Sequence, residues 1–243
     1  MLFAKTQSKT IMHALAAMLL FATITTAEVP GLCNTGQTAV TSSGCTGVLV
    51  PPNPTGGGPN RDGNWELAYP YPVAIHDVHG PCLVETFVAA WVDTPEYAWL
   101  PNGASKYSEW ITVFDGESTQ LPGWYLYRTK FPVPSSLPNG DVPRNVRING
   151  QLASDNTAYA IYLESPANSG DCALVSGQAF PVNLPGGGSF GDFEHWWPFS
   201  FSNALEISPG AEAYLYFLVH NAGGSGLDPT GLRVEFFATS AFN

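Results

Sequence analysis

The chain has 243 residues, of which 13% are aromatic and only 12% charged, with a formal net charge of −11. So acidic a chain repels nucleic acid and anionic membrane surfaces, which leaves neutral polysaccharide, Ca²⁺ or plain solubility as readings of its charge. Its 25 glycines and 21 prolines suit short strands joined by tight turns rather than disorder. No segment joins three turns of apolar stripe to a capping signal, so an all-β fold is expected.

Residues 1–27 have the pattern of a secretory signal peptide. "MLFAKTQSKTIMH" carries Lys5 and Lys9, "ALAAMLLFATI" is apolar, and "TTA" ends on Ala27. The apolar run is shorter than the roughly 20 residues of a membrane span, so no transmembrane segment is expected. The mature chain then starts near Glu28 and is secreted or held at the cell surface. Loss of Lys5 and Lys9 leaves 7 basic against 20 acidic residues, a formal charge of −13.

Residues 28–61 read as an irregular arm ending in "VPPNPTGGGPNRDG", too rich in Pro and Gly for a central strand. The arm carries Cys33 and Cys45, and Cys82 and Cys172 follow. In an oxidising compartment four cysteines imply two disulfides, with three connectivities open. The favoured pairing closes "CNTGQTAVTSSGC" through Cys33–Cys45 and leaves Cys82–Cys172 to staple distant strands. No C-x-x-C pair supports zinc or thiol-redox chemistry.

Residues 62–243 read as a single β-sandwich. Strand-like segments alternate with turn clusters: "NWELAY", "LVETFVAAWV", "SEWITVF", "GWYLYRTKFPV", "RNVRINGQLA", "AYAIYLE", "CALVSGQAFPV", "HWWPFSFS", "EAYLYFLVHN" and "GLRVEFFATS". On the fourth, Tyr125, Tyr127, Thr129 and Phe131 share the core face, and Leu126, Arg128 and Lys130 share the wetter one. Both faces of "EAYLYFLVHN" are apolar, which predicts a central strand covered on each side.

The series "WLPNGASKYSEWITV", "PGWYLYRTKFPVP", "NVRINGQLASDNTAYAIYL", "HWWPFSFSNALEISPGAEAYLYFLVHN" and "DPTGLRVEFFATS" resembles a group of exported bacterial proteins. Many of that group carry a PEP-CTERM sorting tail, and their domain looks like the galactose-binding-like jelly roll. The "Y-x-Y-R-T-x-F" strand is also similar to one in accessory sugar-binding domains of large glycoside hydrolases. The likeness spans roughly residues 60–239. It departs at "DNTA" and "IYLES", where relatives often read "DNNG" and "ILLNG". The ending "FFATSAFN" has neither the apolar helix nor the basic end of a sorting tail, so a released or non-covalently held protein is expected.

Tryptophan stacks on the C–H face of a sugar ring, and Trp99 and Trp196 each stand beside a turn. They are the candidate platform, with Asp155, Asn156 and Asn221 as hydrogen-bonding partners. The resemblance implies that Trp197 is the core member of the Trp pair; Trp110 and Trp124 are expected to pack inside, with Trp124, Arg128 and Lys130 left open as the border of a site. Jelly rolls of this look often hold one structural calcium, for which Asp62, Asn64 and Glu235 offer hard oxygen ligands. "HDVH", His76–His79, lies between prolines and lacks a third ligand, so it reads as a surface pair. Glu109, Asp115, Glu117, Asp192 and Glu194 stand near aromatics, but no catalytic signature pairs them.

These residues point to a secreted, non-catalytic module that binds carbohydrate or sits in an exopolysaccharide matrix, with no required cofactor. Two alternatives remain at this stage. One is a surface, filament or adhesion subunit assembling through protein–protein contacts, with the arm as a donated strand. The other is a glycan-active hydrolase, which requires two carboxylates across a cleft.

Overall fold

The structure is a computed structural model that describes residues 29–38, 45, 47–50, 60–69, 86–93, 99–102, 105–113, 120–164, 193–204, 210–222 and 229–243. Its strands are β1 (Arg61–Ala68), β2 (Val88–Val92), β3 (Ile111–Thr112), β4 (Gly123–Pro132) and β5 (Asn145–Asp155). They continue as β6 (Thr157–Glu164), β7 (Trp197–Ala204), β8 (Glu212–Asn221), β9 (Gly231–Phe236) and β10 (Ala241–Phe242). Among the described residues there is no α-helix, hence none long and apolar enough to cross a membrane. The expected strand "CALVSGQAFPV", the Cys82–Cys172 pair and the "HDVH" segment lie outside the described residues.

All pairings are antiparallel, in the order β10-β5-β9-β3-β2-β1-β4-β8-β6, with β7 also paired to β5. The sheet curls so that β4 and β8 face β5, β7 and β9 across one apolar core, as expected of a jelly-roll-like sandwich. Tyr125, Tyr127 and Phe131 of β4 meet Ala213, Leu215, Phe217 and Val219 of β8 there, together with Ile148, Leu152, Phe199 and Val234. β8 lies between β4 and β6, the central position its apolar faces predicted.

The opposite face of β4 and β8 carries a smaller cluster of Ala68, Leu126, Tyr216 and Leu218, flanked by Phe87, Trp124, Tyr162 and Tyr214. Arg128 is wedged into this cluster, its guanidinium carbon 3.6 Å from the Phe87 ring centre. The same side chain pairs with Glu66 at 2.6 Å. Lys130, one row further out, is exposed and pairs with Glu212 at 3.1 Å.

The described residues of the arm before Asn60 form no strand beyond the isolated Gln37–Leu49 bridge, yet they are bound into the sandwich. Val29, Leu32 and Cys33 are buried, and Thr35 is fully so. The Thr35 amide donates to the Val234 carbonyl at 3.1 Å, and the Glu109 amide donates to the Thr35 carbonyl at 3.0 Å. Thr35 thus fills the gap between β9 and the residues that lead into β3. Among the described residues of "SEWITVF" only Ile111–Thr112 is strand, and the backbone of Glu109 before it is bonded to the arm. Gly36 fits because nothing larger would. Its φ is +76°, and a Cβ there would come within 2.6 Å of Glu109 Cβ and 2.9 Å of the Glu109 nitrogen.

The Cys33–Cys45 disulfide is formed, with Cα atoms 5.4 Å apart. Its neighbour Trp65, fully buried, donates its indole N–H to the Cys33 carbonyl at 3.0 Å. β10 is a further strand beyond the last expected segment, which ended at Ser240. After β9 the chain turns at residues 237–240, and Ala241–Phe242 pairs with Val146 and Arg147 of β5.

Candidate functional site

One end of the sandwich gathers the start of β4, the end of β5, the start of β6, the end of β8 and the start of β9. Four of the five proposed sugar-binding residues meet here in two hydrogen-bonded groups. Trp99 donates its indole N–H to Asp155 Oδ2 at 2.6 Å. Asn156 donates from Nδ2 to Asp155 Oδ1 at 2.7 Å and accepts from the Ala222 amide at 2.7 Å. Thr230 closes this group by donating its hydroxyl to the Asp155 carbonyl at 2.5 Å. Asn221, buried in the core wall, donates from Nδ2 to the Leu121 carbonyl at 3.3 Å.

This geometry corrects the expected platform. Trp99 is only 5% exposed and lies against the buried Trp110, ring centres 4.4 Å apart. Gly231 makes room for the pair, since a Cβ there would stand 2.9 Å from the Trp99 ring. Asp155 and Asn221 are likewise buried, so neither presents its polar atoms to a ligand. The reason is an internal partner that local sequence does not reveal: an indole N–H beside a turn is sealed when a carboxylate from a distant strand accepts its hydrogen bond. Asn156 alone of the three polar residues is half-buried rather than buried.

Trp196 is also half-buried and packs on the Trp99–Trp110 cluster. The guanidinium of Arg233 lies 5.0 Å from its ring centre, so the bulk of Arg233 occupies that face. Arg233 itself is fully buried, donating to the Ser108 hydroxyl at 2.9 Å, the Ser108 carbonyl at 2.7 Å and the Pro101 carbonyl at 3.0 Å. Burial pulls its pKa down to about 10, opposed by Glu235 and Glu109, which leaves it charged at neutral pH. Trp197, expected in the core, is half-buried, and its indole N–H has no acceptor among the described residues.

Trp124 corrects the prediction in the other direction. It is half-buried on the outer face of β4, sharing the parity of Leu126 and Arg128. The β-ladder sets it beside His220 of β8, which in turn stands beside Thr157 of β6. The ring centres of Trp124 and His220 are 4.3 Å apart with planes inclined at 36°. Trp124, His220, Thr157 and the adjoining Asn156 are all half-buried, and Leu121 beside them is exposed. The signal that finds this row is the strand alternation itself, carried one step further back from Leu126 to Trp124.

The proposed calcium ligands are each hydrogen-bonded within the chain. Asp62 is buried and accepts three backbone N–H bonds, from Gly36 at 2.5 Å, Asn64 at 2.8 Å and Trp65 at 3.1 Å. Burial outweighs those donors and pushes its pKa up to about 7. Asn64 turns its amide to the Gln37 and Thr38 carbonyls, at 3.1 and 3.0 Å. Glu235 accepts from Ser108 and from Gln151, each at 2.8 Å. All three side chains are engaged by the chain itself, in tying the arm and β9 to their neighbours. Among the described residues no group of three or more His, Cys, Asp or Glu gathers together.

Of the carboxylates near aromatics, Glu194 is exposed and Glu109 is buried, while Asp115, Glu117 and Asp192 lie outside the described residues. Burial pushes the Glu109 pKa up to about 7, with Arg233 opposing. One Glu109 oxygen, Oε2, has no donor among the described residues. Compared with family models, with curated proteins and with solved structures, the chain matches none of them.

Proposed function

We propose that the chain is a secreted, non-catalytic module of the galactose-binding-like jelly-roll type that holds a neutral glycan, in the setting of an exopolysaccharide matrix. The observation that carries this reading is the Trp124–His220–Thr157 row. A half-buried indole supports stacking on the C–H side of a sugar ring, with the polar side chains of Asn156, Thr157 and His220 beside it. The formal charge of −11 disfavours polyanionic ligands, and a disulfide suits an oxidising compartment.

A glycan array with residues 28–243, run with and without Ca²⁺, tests the proposal. A hit that is lost in Trp124→Ala, with the melting temperature nearly unchanged, supports it. Silence on the array together with oligomers on a sizing column transfers the role to a structural subunit. A hit unaffected by Trp124→Ala removes this row as the site.

A further inference from the structure

We propose that the Trp124 row, on the reading that it holds a glycan, is a pH-sensitive site: protonation of His220 weakens the stacking of a sugar on Trp124. The two rings are in contact, with centres 4.3 Å apart and planes inclined at 36°. The ladder keeps them there, because Trp124 and His220 are direct partners across β4 and β8. The next pair on the same face is Leu126 and Leu218, both buried, and Trp124 packs against that apolar cluster.

Histidine is the side chain whose ordinary charge change falls between about pH 5 and 8. A neutral imidazole both donates and accepts hydrogen bonds, whereas an imidazolium only donates. The face of an indole is electron-rich, and that density attracts both a cation within about 6 Å and the C–H side of a sugar ring. A charge on His220 therefore competes for the density that a sugar uses, and it removes an acceptor beside the ring. Both effects act in one direction, toward weaker binding at acid pH.

The surroundings leave the indole as the group in the row that meets this charge. Trp124 from β4, Thr157 from β6 and the adjoining Asn156 are all uncharged. Among the described residues, ionisable side chains return on this face in the row of Arg128, Tyr216 and Tyr162. That row is four residues along β8 from His220, or about 13 Å. Arg128 is paired with Glu66, and Tyr216 donates to Glu164. Lys130 and Glu212, one row further, pair with each other. On the β5 side Asp155 lies two residues before Thr157, and its carboxylate accepts from Trp99 and Asn156.

Tryptophan fluorescence of residues 28–243 at about pH 5 and about pH 8, with no sugar present, reads the ring contact. A protonated imidazole against an indole quenches its emission, so the signal should be lower at the acid pH. The difference should be lost in His220→Gln and reduced in Trp124→Phe. It should persist in Glu109→Gln, which removes a carboxyl that titrates in the same range. The glycan array, run at the same two pH values, should give signals about threefold weaker at the lower one. His220→Gln should level the two, and melting curves at both pH values establish that each variant is folded. A fluorescence difference that is absent, or that survives His220→Gln, overturns the proposal. So do array signals that are equal at the two pH values. An array silent at both, with a fluorescence difference that His220→Gln abolishes, removes the glycan reading and upholds the pH sensitivity of the row.

Discussion

Trp99 and Trp124 stand at the same end of the sandwich, yet one is sealed and the other half-open. Trp99 comes from a loop, packs on Trp110 and gives its N–H to a buried carboxylate 56 residues away in sequence. Trp124 comes from a regular strand, and the alternation of β4 turns it outward beside His220. Proximity to a turn is thus a poor guide to exposure for a large aromatic. What decides is whether the rest of the chain supplies a partner for its polar edge and a roof for its rings.

The contrast predicts unequal costs for the same substitution. Trp99→Ala should destabilise the fold by about 3–5 kcal/mol, since it empties a sealed site and strands the Asp155 acceptor. Urea denaturation measures this, and a loss under about 1 kcal/mol would mean the site is not sealed. Removing the Cys33–Cys45 bond with paired serines should cost about 3 kcal/mol, the value for a loop of this length, and loosen the arm first. Hydrogen exchange at the Thr35 and Val50 amides, which the arm's contacts protect, reads that loosening.

A third prediction concerns pH. Asp62 and Glu109 both have folded-state pKa values near 7, raised by burial from the ordinary carboxylate range. Between about pH 4 and 7 the folded chain therefore holds more protons than the unfolded one, so their contribution to stability falls as pH rises. It is fully present below about pH 4 and lost as pH passes through 7. Urea midpoints should show this slope, and Glu109→Gln should flatten it. An unchanged slope in that variant would refute the assignment.

The smallest effects belong on the outer face. Trp124→Ala should cost less than Trp99→Ala by about 2 kcal/mol or more, because part of its surface is already in water. Glu66→Ala should cost about 1 kcal/mol or less, since the Arg128–Glu66 pair is partly solvated. If the two tryptophan variants prove equally unstable, the distinction between sealed and half-open sites fails.

Much of the sandwich was legible before any coordinates. The inward set Tyr125, Tyr127, Thr129 and Phe131, the central place of β8 and the short-loop disulfide all follow from period-two alternation or chain spacing. The candidate site was legible in part. Its end of the molecule was reached through Asn156; of the two tryptophans put forward, Trp99 is sealed while Trp196 is half-buried, as is Trp124. The arm was read as irregular, without a hint that Thr35 stands between Glu109 and Val234.

Strand parity is a local property: neighbouring side chains must point to opposite faces, so sequence alone determines which residues of β4 and β8 share the core. Sealing is not local. Asp155 reaches Trp99, Asp62 collects the amides of Gly36 and Trp65, and Thr35 meets Val234 across 199 residues. A side chain is buried only when such distant partners arrive around it, and that outcome only the tertiary structure decided.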